Sequence, residues 1–366
     1  MPNRVIMHVD LDYFYAQCEE NRSPNMRGKP VVVCVYSGRT EESGVVSTSN
    51  YLARKYGVKA GIPITRAKKL LESAGAVFLP MNRPLYEQVS ERIMKILRGH
   101  GDAFEKVGID EAYLDISTRA DSSFEQAENI AGEVKRQILT EEQITGSIGI
   151  APNKLVAKIA SDERKPDGLT MVKPEEVRSF LAQLPASRIP GVGKKVEDKL
   201  DQMQVRTIAQ LSTLSPTILV ETFGRSLGGY LFRAALGEDY EPVKEREQPT
   251  QLSRIATLKR DTSDLREILP LLGELANSVT AKLKEKGMTC ESVAIIAILN
   301  DLSIHTKSKT LEQPNADEKI IVDAAQELMK EFLKSMPTAI IRRTGVRVFA
   351  LSKSTGQTDI SNFLKV

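Results

Sequence analysis

The chain has 366 residues, 41% of them apolar and 27% charged, with a formal net charge of only +3. Such a composition suits a soluble protein of two or three domains, and so small a charge excludes any argument for a polyanionic partner that ignores where the charges sit. Cys18, Cys34 and Cys290 form no CxxC pair, no signal-peptide stretch opens the chain, and the longest clean apolar run, residues 293–299, is too short for a bilayer, so a cytoplasmic protein without disulfides, zinc or membrane partner is expected.

Residues 5–9 form an apolar, β-leaning run that ends in Asp10-Leu11-Asp12-Tyr13-Phe14-Tyr15 and reads as a buried strand. Residues 31–36 repeat the pattern before a polar loop at 37–44. Residues 51–55 read as helix, broken by the turn residues of 57–63. Tyr86, Val89, Ile93, Ile96 and Leu97 share one helical face. Residues 103–107 and 112–116 are strands joined by a tight turn at 108–111. Phe124, Ala127, Ile130, Ala131, Val134 and Ile138 mark a second amphipathic helix, followed by a short strand at 147–150 and a helix at 153–162. Setting aside an insertion after the first strand, the order is strand-helix-strand-strand-helix-strand, the ferredoxin-like split βαβ pattern. In it the second and third strands make a hairpin and the first runs parallel to the second. Asp10, ending the first strand, then meets Asp110 and Glu111 of the hairpin turn at one sheet edge.

Beyond Lys165-Pro166-Asp167-Gly168 lies a small helical region whose clearest turn is Pro190-Gly191-Val192-Gly193. Residues 237–250 are polar and charged and read as a linker. The last domain reads strand (252–258), helix, strand (293–299), helix, strand (345–351), with a polar tail from 352. The fold class is α+β.

Phosphoryl transfer depends on alignment and charge neutralisation. Two divalent ions about 3.5–4 Å apart can serve both the attacking and the leaving oxygen. Magnesium favours carboxylates together with substrate phosphates. Asp10, Asp110 and Glu111 suit two such ions, and the Leu11 carbonyl adds a further oxygen. Isolated acids of this kind are ordinarily solvated loop charges; their convergence is what points to chemistry.

The runs Asp10-Leu11-Asp12-Tyr13-Phe14-Tyr15-Ala16 and Ile109-Asp110-Glu111-Ala112-Tyr113-Leu114-Asp115 resemble the two catalytic motifs of the Y-family DNA polymerases, in the archaeal and bacterial polymerase IV-like branch. The resemblance covers nearly the whole chain. It departs at Gly108, where the family usually carries Ser, which should loosen the turn slightly. The resemblance implies a right-hand polymerase: a ferredoxin-like palm (1–13 and 80–171), small fingers (14–79), a helix-hairpin-helix thumb (172–238), a linker (239–249), a little finger (250–352) and a clamp-binding tail (353–366). It implies a low-fidelity, lesion-bypassing, template-directed polymerase working as a monomer on primer-template DNA and deoxynucleoside triphosphates, with no proofreading domain. The rival readings are another two-metal nucleotidyl enzyme, such as a nucleotide cyclase, and a non-catalytic DNA- and clamp-binding accessory protein.

Residue by residue, the resemblance implies that Tyr13, Phe14 and Tyr15 line the nucleotide, with the Tyr15 ring excluding a ribose hydroxyl. Thr48, Tyr51 and Arg54, three residues apart and so expected on one helical face, together with Lys165, are implied to hold the triphosphate. Val45, Ser47 and Gly61 align with the small residues that roof the nascent base pair. Gly191, Gly193 and Lys194 match the hairpin whose backbone N–H groups cradle a DNA phosphate, although a bare Pro-Gly-x-Gly is more often a plain turn. Arg342, Arg343, Arg347 and Lys353, and likewise Arg254, Lys259 and Arg260, suit the DNA-gripping last domain; on their own they are equally a solvated face. Gln357, Ile360, Phe363 and Leu364 resemble a sliding-clamp peptide with its apolar plugs on one helical turn.

Overall fold

A computed structural model describes residues 4–245 and 249–353 of the chain. The stretch carrying Gln357, Ile360, Phe363 and Leu364 lies outside the described residues. In chain order, β1 (Ile6–Leu11) leads into α1 (Phe14–Arg22). Then come β2 (Val31–Tyr36), β3 (Gly44–Ser49), α2 (Tyr51–Lys55), α3 (Ile64–Leu70) and β4 (Val77–Pro80), whose strands form a small sheet of order β3-β2-β4. Next are α4 (Arg83–His100), β5 (Ala103–Lys106), β6 (Glu111–Asp115), α5 (Phe124–Glu142), β7 (Gly146–Ala151), α6 (Lys154–Ser161) and β8 (Leu169–Met171). With β1 these complete a sheet of order β5-β6-β1-β7-β8. Five helices follow, α7 (Val177–Ala182), α8 (Lys194–Gln202), α9 (Ile208–Ser212), α10 (Pro216–Phe223) and α11 (Arg225–Ala235). The last domain is β9 (Gln251–Thr262), α12 (Leu265–Glu285), β10 (Met288–Leu299), β11 (Ile304–Asn315), α13 (Glu318–Ser335) and β12 (Ile341–Lys353), in the sheet order β11-β10-β12-β9.

Contacts gather the chain into two units: Met1–Cys34, Val46–Ile62 and Arg66–Arg246 in one, and Val35–Val45, Pro63–Thr65 and Glu247–Val366 in the other. In the first, β1 is antiparallel to both β6 and β7, and β5 is antiparallel to β6. Strands β1 and β5 therefore run the same way with β6 between them, which is the split βαβ arrangement; β8 adds a parallel edge beside β7. The alternation of β1 sends Val5, Met7, Val9 and Leu11 into a core shared with α4 and α5. On its other face Ile6 joins the core made by α6 and the five thumb helices. Tyr86, Ile93 and Leu97 of α4 are fully buried, and burying each of the two aliphatic side chains contributes about 1.5–3 kcal/mol. Asn50, Asn82, Ser123 and Asn153 cap α2, α4, α5 and α6 by accepting a first-turn backbone N–H.

Four strands escape the sequence pattern, and all lack a long apolar run. Strand β3 is rich in hydroxyls, β4 has only four residues and β8 only three, and β11 is an exposed edge strand whose Lys307 and Lys309 pair with Glu331 and Glu327 of α13. Helix α3 was likewise hidden, by the turn residues before it.

Helix α6 crosses β7 at Gly149, the residue paired with His8 of β1. A Cβ there would lie 2.0 Å from the Ala157 carbonyl oxygen and 2.5 Å from the Ser161 nitrogen. Only glycine lets the helix approach this closely, and the approach carries Lys158 and Ser161 over the sheet. Gly149→Ala should therefore push α6 outward and destabilise the first unit by about 1–3 kcal/mol. Urea denaturation together with amide exchange across 154–161 reads both effects.

Candidate active site

The β1–β6 register sets Asp10 directly opposite Glu111, and the Leu11 N–H donates to the Asp110 carbonyl at 2.8 Å. Acids a hundred residues apart thus share one end of two neighbouring strands. The hairpin turn before β6 closes with the Val107 and Gly108 N–H groups donating to the Glu111 carbonyl. A Cβ on Gly108 would sit 3.3 Å from Asp110 Oδ1; glycine here leaves that carboxylate room, and the turn keeps its hydrogen bonds.

The three acids do not stand together as a bare cage. Among the described residues no group of three or more His, Cys, Asp or Glu side chains is gathered closely enough to hold a metal unaided. Each outer acid is instead met by a lysine: Lys165 Nζ lies 2.7 Å from Asp10 Oδ1 and 2.8 Å from Asp162 Oδ1, and Lys158 pairs with Glu111. Like charges crowded at one edge repel, and these ammonium groups offset that repulsion. Burial, then the charge of Asp10, push the Asp110 carboxyl above its ordinary range. Glu111 is held down to about 2, by His8 and then by Lys158, against the opposing effect of burial. Burial works against the Lys165 charge, yet Asp10 and Asp162 outweigh it and raise the ammonium pKa.

His8 has no part in the sequence reading. It is fully buried on the same face of β1 as Asp10, with Nδ1 2.8 Å from Ser161 Oγ and Nε2 3.3 Å from Glu111 Oε2. Nε2 has no hydrogen-bond partner among the described residues, and its contact with Glu111 is an electrostatic one. Burial lowers the His8 imidazole pKa, against the contact with Glu111, which raises it. Its i,i+2 spacing from Asp10 was the signal that could have found it.

The implied nucleotide contacts divide. The Tyr13 ring meets Tyr51 edge-on at 5.3 Å, and the Arg54 guanidinium lies 4.7 Å over the Tyr51 ring, so these three adjoin. Thr48 corrects the one-face expectation: it lies on β3, because the Asn50 cap starts α2 only at Tyr51. Arg54 Nε also donates to the Ser49 carbonyl at 3.0 Å. Phe14 is a second correction. The residue is 2% exposed and its ring belongs to the core. Tyr15 stacks on Tyr86 at 4.4 Å and 13°, and the Tyr86 hydroxyl donates to buried Glu19 at 2.8 Å. Ser47 lies on β3, whose Val46 exchanges hydrogen bonds with the turn residues Gly61 and Ile62.

In the thumb, Gly191 has φ +88°, a left-handed conformation that favours glycine, and Gly193 caps α8. Lys194 is exposed and paired with Glu197 and Asp198 on its own helix, pairs of little energetic weight. In the last domain, Arg343 and Arg347 lie on the face of β12 opposite the helices, while Val346 and Val348 face the core. Arg342 sits at the β12 irregularity, 3.5 Å from Asp261. Arg254 is registered with inward-facing Val346, and Arg260 is tied to Glu267 of α12.

Comparison with known proteins agrees with this geometry. The impB/mucB/samB family model matches residues 9–162, its C-terminal domain 249–361, and the thumb domain of DNA polymerase iota 187–239. DNA polymerase IV of Nitrosopumilus maritimus is 46% identical over 99% of this chain and 100% of its own length, and that of Methanosarcina acetivorans is 44% identical at the same coverage. Among solved structures, a Y-family DNA polymerase chimera superposes with a TM-score of 0.90 at 37% identity, covering 95% of this chain and 99% of that one. The insertion ternary complex of Dbh DNA polymerase gives 0.68 at 37%, covering 94% and 98%. The chain belongs to the Y-family of DNA polymerases, which defines it as a metal-dependent nucleotidyltransferase. Within the family it is polymerase IV-like, a DNA-directed DNA polymerase of the translesion kind.

The depressed Glu111 pKa carries a pH signature. A carboxyl whose pKa is lower folded than unfolded stabilises the fold fully above about pH 4.5 and loses that contribution as pH falls toward 2. The stability difference between the parent and Glu111→Gln, measured by urea denaturation, should be constant near neutrality and narrow steadily across that window.

Proposed function

We propose that the chain extends a primer 3′ end by attack of its hydroxyl on the α-phosphorus of a deoxynucleoside triphosphate, releasing pyrophosphate, with Asp10, Asp110 and Glu111 holding two magnesium ions. The observation that carries this is the Asp10–Glu111 register, with Asp110 bonded across to Leu11. The donors fit: they are hard carboxylate oxygens, the Leu11 carbonyl adds one more, and burial, then the nearby charge of Asp10, raise the Asp110 pKa, both of which a bound cation would offset. Bound there, the metals supply charge neutralisation and activation of the attacking oxygen.

The chain's own residues do the positioning. Lys165 pairs with Asp10 in the resting protein; a triphosphate offers the same ammonium a denser charge, so binding substrate frees Asp10. Arg54 and the phenol of Tyr51 face the same neighbourhood, with Thr48 from β3 and backbone N–H groups around Tyr13 and Phe14 completing the grip. Tyr15, backed by the flat face of Tyr86, is a rigid wall against a 2′-hydroxyl. Primer-template DNA is held through its phosphates, by the hairpin at Gly191, Gly193 and Lys194 and by Arg343 and Arg347, with Arg342 beside them. The C-terminal Gln357, Ile360, Phe363 and Leu364 engage a sliding clamp. The protein works as a cytoplasmic monomer.

Primer extension across an abasic template site should proceed with magnesium and stop without it. Asp110→Ala should lose incorporation and keep its affinity for primer-template; a parent protein that binds primer-template and incorporates nothing would favour a non-catalytic accessory protein. Tyr15→Ala should lower discrimination against ribonucleotides about tenfold or more, and equal discrimination in both proteins removes the steric role.

A further inference from the structure

Asp12 follows β1 and is 1% exposed, yet it faces none of the lysines that answer the other acids. Its oxygens are spent on hydrogen bonds. Oδ2 accepts from the Asp167 N–H at 2.7 Å and the Thr145 hydroxyl at 3.1 Å, and Oδ1 accepts from the Ser147 hydroxyl at 2.8 Å. Ser147 Oγ in turn accepts from the Gly168 N–H at 3.2 Å. The loop's carbonyl groups are taken from the opposite side by Lys135 of α5. Its Nζ donates to the Asp167 and Gly168 carbonyls at 2.5 and 3.2 Å and to the Gly146 carbonyl at 3.0 Å, and it pairs with Asp167 Oδ1 at 2.7 Å. The backbone of 167–168 thus has its N–H groups anchored by Asp12 and Ser147 and its carbonyls by Lys135. Gly168 could carry no side chain there, since a Cβ would meet the Arg164 carbonyl at 2.1 Å.

Two residues upstream is Lys165. Neither Asp12 nor Lys135 touches its ammonium, but both determine where its stem begins. A flexible four-carbon side chain delivers its charge only as accurately as its backbone is held, and misplacement of about 1 Å can cost about 100-fold in a well-aligned site. We infer that Asp12 and Lys135 are positioning residues, a two-sided clamp on the 165–168 loop that sets the Lys165 ammonium for an incoming nucleoside triphosphate. The inference rests on the reading of Lys165 as a triphosphate contact.

The test is single-nucleotide incorporation on a primer-template under single-turnover conditions, titrating a deoxynucleoside triphosphate, with fluorescence anisotropy for DNA affinity and thermal melting for the fold. Lys165→Met should weaken nucleotide binding. Lys135→Met should weaken it about 5- to 20-fold, leave the Kd for primer-template unchanged, and lose most of that effect as Lys135→Arg, which keeps donors for the carbonyls. In Lys135→Met/Lys165→Met the second change should add little, because the clamp acts only through Lys165. Asp12→Asn should mimic Lys135→Met; should it fail to fold, the Lys135 series carries the test alone. Parental nucleotide affinity in Lys135→Met, losses that multiply in the double variant, or a defect confined to DNA affinity would overturn the clamp. Unchanged nucleotide affinity in Lys165→Met would instead strike the triphosphate reading itself, and the clamp's purpose with it.

Discussion

Everything at this site follows from bringing like charges together. The antiparallel pairing of β1 with β6 puts Asp10 opposite Glu111 and ties Asp110 to the adjoining backbone, an arrangement that a folded chain adopts only if the repulsion is answered. Here it is answered by Lys158 of α6 and Lys165 of the following loop. Helix α6 reaches the acids because Gly149 lets it lie against the sheet, and the loop stays in place because its backbone is bonded on both sides. The lysines therefore stabilise the protein before substrate arrives and define where positive charge stands when it does. Under the proposed reading, metal and triphosphate would exchange one set of counter-charges for another, which keeps the net change in local charge small.

The last domain repeats the strand-helix-strand-strand-helix-strand order of the palm with a different neighbour order, β11-β10-β12-β9. Both helices pack on one face, where Val293, Ile295, Val346 and Val348 close the core. The other face carries Arg343 opposite Ile298 and Arg347 opposite Ala294 of β10, with Thr306 and Ser308 of β11 beyond them. Fixed cations on a smooth pleated surface can follow a regularly charged polymer without reading its sequence.

Much of this was legible in the sequence, for definable reasons. Strands β1, β2, β6 and β7 and helices α4, α5, α12 and α13 announce themselves because each buries a continuous or periodic apolar face. From those elements the convergence of Asp10, Asp110 and Glu111 follows by topology alone. What stayed hidden was whatever depends on side-chain partners or on strands without an apolar signature. Thr48 was read as helical because spacing says nothing about where a cap falls, and Asn50 decided that. Phe14 was read beside the substrate because a motif does not say which of two adjacent rings turns inward. His8 lies far in sequence from Lys158 and Ser161 and meets them only because α6 crosses β7 at a glycine, a closeness no periodicity reports.

The polar strand β11 has a consequence for how the protein behaves in solution. It stands at the sheet's border among the described residues, twelve residues long, with a row of backbone groups turned outward. A border of that length made of valine and isoleucine would invite another chain to zip onto it. Lysines alternating with threonine and serine over residues 306–310, with Pro314 near the end, make it a poor template, so the same composition that conceals the strand from a pattern reader also discourages stray molecules from joining the sheet.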